Sequence, residues 1–204
     1  YIAAQFKEAG LVPAGADGTY FQPFPIALER KLVEGNRLKF SGPDKDLVQG
    51  KDFIPLSFSG SGSFSGKVVF CAYGIVNPDK SHDDFKDVDL KGKVALIADG
   101  EPGAWADKDG NPTQHAHRRN KVYNAKDRGA AAIVFVSPEP AKGSKEELTP
   151  FRSEGADDYG LPAIEITRVF ASELVSKSGI GDLLVKELLE AHRIPSTEMP
   201  NITA

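Results

Sequence analysis

KVVFCAYGIVNPDKSHDDFKDVDLKGKVALIADG, residues 67–100, is the stretch whose reading decides the fold. It holds two apolar runs, 68–75 and 94–98, rich in Val, Ile, Phe and Tyr and bounded by turn-forming residues. Short apolar runs of that composition read as buried strands, and two so close in sequence predict neighbours in one sheet. The connection between them is polar and carries five aspartates. Further on, KVYNAKDRGAAAIVFV, residues 121–136, shows helical spacing that gives way through Gly129 to a third buried strand.

Several features recur in a fixed order: Ala72-Tyr73-Gly74-Ile75, then Asp84-Phe85 and Val88-Asp89-Leu90-Lys91-Gly92-Lys93-Val94, then Lys121, Ala125 and Gly129-Ala130. Together they resemble the protease-associated domain, a non-catalytic insert of exported zinc aminopeptidases, glutamate carboxypeptidases and some sorting receptors. The resemblance implies a mixed α/β (α+β) fold, a small and partly closed β-sheet or barrel with flanking helices. The leading phrase YIAAQFKEAGLVPAG, followed by TYFQPFPI, resembles the helix and strand that precede the inserted domain in the zinc aminopeptidases. The expected division is therefore 1–26 as a helix and strand of the peptidase domain, 27–193 as the protease-associated domain, and 194–204 as a linker towards a catalytic domain outside these residues.

Composition narrows the classes. The chain has 204 residues, 40% hydrophobic and 26% charged, with a net charge of −4, which suits one ordinary globular domain with an appendage. No basic excess points to nucleic acid, and no window approaches the ~18 apolar residues of a membrane helix. The amino terminus lacks a signal-peptide pattern, and a chain that begins at Tyr1 reads as an excised piece. Secretion or export to the periplasm is expected from the resemblance alone. The single Cys71, inside an apolar run, reads as a small buried hydrophobe.

In chain order, Ile2 and Phe6 share one face of a short helix that Gly10 is placed to cap. Residues 27–66 are polar with short apolar pieces at 38–40 and 53–56, which predict antiparallel strands and hairpins. Gly60, Gly62 and Gly66 lack the remaining residues of a phosphate loop or dinucleotide fingerprint, so a flexible serine-glycine hairpin is the better reading. The helix predicted over 114–128 places Val122, Ala125 and Gly129 in a narrow stripe suited to close packing on a sheet. Residues 161–166 read as a strand, Thr167 as the cap of a helix running to about Val175, and 182–192 as a further helix before an extended exit.

The aspartates between Asp83 and Asp89 fail the calcium-loop pattern, as does a frame starting at Asp107, where Pro112 occupies the glycine position. Turn formation explains them instead. Loop 99–119, DGEPGAWADKDGNPTQHAHRR, is the most function-laden segment. Its His115-x-His117 pair would point apart on a helix, and no third zinc ligand follows from spacing, so solvated histidines at a helix start are favoured. Trp105 reads equally as an anchor folded onto its own domain or as an exposed aromatic awaiting a partner. In glutamate carboxypeptidases the corresponding loop turns towards the peptidase cleft; that resemblance implies substrate-access roles for Trp105, Arg118 and Arg119, with the arginines meeting a substrate carboxylate. The competing reading of the two arginines is a solvated helix turn.

Catalytic parts are missing from the sequence. The set of His-x-Asp, Glu-Glu, further acid and distal His that co-catalytic zinc aminopeptidases carry cannot be located as a whole: neither His115 nor His117 has an aspartate two positions on, and the Glu146-Glu147 pair lies in a polar loop with no ligand frame around it. No His-Glu-x-x-His motif occurs. The expected function is thus a non-catalytic protease-associated module whose partners are a catalytic domain and its peptide substrate. It would hold no cofactor of its own, with zinc in the catalytic domain, and would govern access of peptides to the cleft. The alternative is a protein- or peptide-binding module of the sorting-receptor type.

Overall fold

The structure is a computed structural model that describes residues 1–24, 29–43, 45–138, 140, 143–152, 158–180 and 196–204. The two apolar runs do lie side by side. Strand β2 (Lys67–Phe70) pairs in parallel with β5 (Val94–Ala98), with Val68 opposite Val94. β5 continues in parallel to β6 (Ala132–Val136), and β6 to β7 (Ala163–Ile166). Antiparallel edge strands close the series: β1 (Phe53–Pro55) on β7 and β8 (Thr197–Thr203) on β2. The order is β1-β7-β6-β5-β2-β8, an open mixed sheet rather than a closed barrel. A separate two-stranded pair, β3 (Val76–Asn77) with β4 (His82–Asp83), occupies the aspartate-rich connection.

Parallel neighbours require a crossover, and between β5 and β6 helix α2 (Arg118–Asp127) supplies it. Because the sheet is covered on both faces, β5 and β6 are buried at every position, which is why their sequences read as continuous apolar runs. Val94, Leu96, Ala98, Val134 and Val136 point to one core with Phe170 and Leu174 of helix α3 (Arg168–Lys177). Ala95, Ile97, Ile133 and Phe135 point to the other, against Val122 and Ala125 of α2. The expected small-residue stripe is therefore the contact face of α2. Gly129 ends that helix at φ +77°, with its N–H on the Lys126 carbonyl and that of Ala130 on Ala125. This Schellman stop sends the chain directly into β6.

β2 is shorter than its apolar run. Ala72 and Gly74 both take left-handed φ (43° and 65°), and the Gly74 N–H closes a turn on the Cys71 carbonyl, so regular pairing stops at Phe70. The buried Cys71 is the small hydrophobe expected, its thiol pushed well above the usual range by burial. Thr167 caps α3 as expected, its side-chain oxygen accepting from the Phe170 N–H.

Two expectations change. The hairpins expected over 27–66 do not form among the described residues: only β1 is a strand, and its partner is the distant β7. Leu38 and Phe40 are buried in the α3-side core without belonging to a strand. The exit at 194–204 is extended from 197 onwards but does not leave the domain. It is β8, with Met199 and Ile202 buried and Glu198 bridging Lys67 (2.7 Å) and Lys93 (2.8 Å). The helix expected over 182–192 lies outside the described residues. At the other end, α1 (Ile2–Glu8) forms and stops at Gly10 as expected, yet it buries no residue: Ile2 is 65% exposed and Phe6 41%.

Candidate functional site

Loop 99–119 leaves the carboxyl end of β5 and returns at the first turn of α2, and three sets of contacts, one buried and two partly buried, fix its root. The first is Arg118, the opening residue of α2. Its guanidinium donates to Asp99 (Nη2 to Oδ2, 2.8 Å) at the end of β5, to Glu165 in β7 and to Thr149 (3.3 Å). The Glu165 side chain is fully buried, and it also accepts from the Thr149 N–H at 2.8 Å and the Thr149 hydroxyl at 2.7 Å. Arg118 lies 5.3 Å from the Phe135 ring centroid. Although burial opposes its charge, the hydrogen bonds it donates to Asp99 and the two neighbouring carboxylates hold its pKa above the ordinary value.

The second contact is Lys121, three residues on and fully buried. Its ammonium donates to the carbonyls of Ala98 (3.0 Å) and Gly100 (2.5 Å), clamping the turn at the end of β5. Burial lowers its pKa to about 8, against the pull of Asp99 and Asp84. The third is Glu101, which accepts from both the N–H (2.7 Å) and the hydroxyl of Thr113, closing the loop across its neck. Beyond this neck Asp107 organises the tip, accepting from the N–H groups of Asp109 (2.9 Å) and Asn111 (2.8 Å). The result is a loop with a fixed base and an exposed tip.

The three residues expected at a substrate face part company here. Arg118 directs Nε and Nη2 inward to Asp99, Glu165 and Thr149, acceptors from three different segments, so these donors hold the fold together rather than stand free for a substrate carboxylate. Trp105 ends a short helical turn (Gly103–Trp105), half-buried, with its ring edge-on to His82 at 4.8 Å and Lys80 at 5.5 Å. Its anchor reading is the one the geometry favours. Arg119 faces outward over Tyr123 (5.6 Å) and Tyr159 (5.7 Å), and Phe58 stacks on Tyr159 at 4.8 Å. Arg119, Phe58 and Tyr159 line, with His117, Arg118 and Asn120, a shallow depression of about 420 Å³, a cationic edge against an aromatic wall.

His117 is exposed at the N-cap of α2, and His115 is half-buried in the preceding turn. Among the described residues no three His, Cys, Asp or Glu side chains are grouped to hold a metal ion, so this donor set does not fit a zinc centre. The aspartates of the 83–89 connection do local work. Asp83 accepts from the Phe85 N–H and pairs with Arg128, and Asp89 accepts from the Lys91 N–H. Asp84 accepts from the Ile75 N–H and bonds His82, its pKa raised by burial.

Sequence reasoning missed Glu165 and Lys121 as anchors. A lone carboxylate inside the apolar strand AIEI was a usable signal, because such a charge is buried only when paired. For Lys121 the signal was its position four residues before the buried Ala125, on the face turned to the sheet.

The order of these elements has a counterpart among known families. Residues 31–174, well over half of the 204-residue chain, match the family model described as PA domain. The chain belongs to the PA domain family. Among solved structures this PA domain is similar to an aminopeptidase from Aneurinibacillus sp. strain AM-1, with a TM-score of 0.48 and 20% identity over all of this chain and 38% of that one. It is also similar to BSAP, a zinc aminopeptidase from Bacillus subtilis, with a TM-score of 0.41 and 21% identity over 68% of this chain and 27% of that one. A 54-residue stretch is 33% identical to 3-ketoacyl-CoA thiolases of Yersinia pestis and Yersinia pseudotuberculosis, covering 26% of this chain and 12% of the thiolase. The chain thus spans well under two thirds of the length of each of these proteins.

Proposed function

We propose that this PA domain is the non-catalytic module of an exported zinc aminopeptidase-like protein and that it restricts which peptides reach the catalytic cleft. The observation that carries the proposal is the construction of loop 99–119, whose root is locked by Arg118, Lys121 and Glu101 while its tip projects into solvent. A rigid projection of this kind excludes by sterics, as lids do when they keep bulky substrate and water from a reacting centre. Zinc and the peptide-cleaving residues belong, on this reading, to a domain outside the chain. Helix α1 supports the same arrangement: an isolated helix of this length is marginal, and one that buries nothing here needs another surface to pack on.

The test is deletion of residues 103–112 from the full-length enzyme, with kcat/KM measured on peptides of increasing length. Long peptides should gain relative to dipeptides, with the smallest substrates unchanged. A uniform change across all lengths would count against access control.

A further inference from the structure

A second surface lies away from loop 99–119 and shares no lining residue with it. It is an open groove of about 820 Å³ between the irregular segment 29–39 and the serine-glycine segment 57–64, running over the edge strand β1. Arg30 ties the two walls together at one end, donating to the carbonyls of Ser57 (3.3 Å) and Ser59 (2.6 Å) and to Asp158. The opposite wall is held by Asn36, which donates to the Val33 carbonyl (2.7 Å) and to Gln49 (3.0 Å). The groove is therefore braced before anything enters it.

Three properties define its occupant. Apolar groups are half-exposed within it, Phe64 and Phe151 on the floor and Val33 at the rim, the last 64% exposed. Among the described residues its charge is one-sided: Arg30, Lys31, Arg37 and Lys39 line it with Glu29, and while Arg30 pairs with Asp158 and Lys31 with Glu29, Arg37 and Lys39 are exposed and make no ion pair among those residues. Finally, the serine-glycine wall has spare main chain. No backbone N–H from 61 to 65 donates within the described residues, and around Gly62 there is open space where a side chain would stand. Main-chain donors along one wall, apolar recesses and an excess of cations suit an extended peptide rather than a compact small molecule.

We propose that this groove binds an acidic peptide segment in an extended conformation. Its main chain lies along the serine-glycine wall, its carboxylates on Arg37 and Lys39, and an apolar side chain against Phe64 and Phe151. The inference is independent of the access role, since it uses neither the same loop nor a catalytic domain.

Fluorescence anisotropy on the 204-residue chain tests it, with a labelled peptide alternating glutamate and valine, its lysine-for-glutamate counterpart, and a single-stranded oligonucleotide of similar length. The acidic peptide should bind saturably and weaken as salt rises. The double variant Arg37→Glu with Lys39→Glu should weaken it by about tenfold or more, while Lys86→Glu, outside the groove, leaves it unchanged. Both groove positions are exposed, so circular dichroism of the double variant should match the parent. Equal binding of the basic peptide, indifference to the double variant, or tighter binding of the oligonucleotide would overturn the proposal. So would light scattering that shows a dimer dissociated by the same double variant, which would make a second copy the occupant.

Discussion

Replacing Arg118 with methionine separates two roles that its sequence position leaves equal. In the structure its side chain is 16% exposed, that of Glu165 is fully buried, and Asp99 and Thr149 complete the cage. An intact buried pair contributes little net stability, because desolvation of both ions offsets their attraction. Removing one partner is a different matter: the remaining carboxylate stays buried without compensation, at a cost of about 3–5 kcal/mol. Arg118→Met should fall in that range, a large fraction of the ~5–15 kcal/mol that holds a domain together. Glu165→Gln should cost less, about 1–3 kcal/mol, because Arg118 keeps Asp99 and the amide can still meet Thr149. The double variant Arg118→Met with Glu165→Gln should lose less than the two single losses added, with a coupling of about 0.5–3 kcal/mol. Urea unfolding followed by circular dichroism gives all of these values. If Arg118→Met stays within about 0.5 kcal/mol of the parent, as surface substitutions do, the cage is not holding the loop, and Arg118 returns as a cation for substrate.

Three further outcomes follow from the same coordinates. Lys121 releases its proton near pH 8 in the folded chain and near 10.5 in the unfolded one; between those values the unfolded state binds more protons, so stability should rise with pH across that window. Lys121→Met should remove this rise, and urea midpoints of the two proteins that run parallel with pH would refute the assignment. Thr167→Ala deletes the side-chain cap of α3 and should cost about 1 kcal/mol by the same unfolding assay. Gly74→Ala places a methyl 2.5 Å from Ile97 Cδ1 at a φ of +65°, so strain and overpacking together should cost about 2 kcal/mol or more; an unchanged midpoint would show that the turn at the end of β2 relaxes freely.

Much of the sheet was legible because its centre is written in short, local signals. The β2 and β5 runs, the α2-to-β6 unit with Gly129 at its stop, and the Thr167 cap each sit within a few residues of the chemistry that specifies them. The edges were not legible for the opposite reason. β1 pairs with β7 more than a hundred residues away, and β8 is a polar strand interrupted by Pro200 whose only apolar inward groups are Met199 and Ile202. Nothing local distinguishes such a segment from a linker; its pairing with β2 supplies the evidence. The inward contacts of Arg118 were hidden on the same grounds, since its acceptors lie 19, 31 and 47 residues away.

The position of the anchors also bears on the proposed non-catalytic role of this sheet. In open α/β sheets, ligands ordinarily bind in a crevice outside the carboxyl ends of the parallel strands. Here that end of β5 is filled by two cations from the first turns of α2: Lys121 caps the carbonyls of Ala98 and Gly100, and Arg118 joins Asp99 to Glu165. The Lys121 ammonium and the Nε and Nη2 donors of Arg118 are thus spent on the protein itself. The chemistry that remains exposed lies elsewhere, at the tip of loop 99–119, at Arg119 on its aromatic wall, and along the cationic groove beside β1. These are the surfaces on which the proposed access role and the proposed peptide binding rest, and the loop among them is rooted on the charges buried behind it.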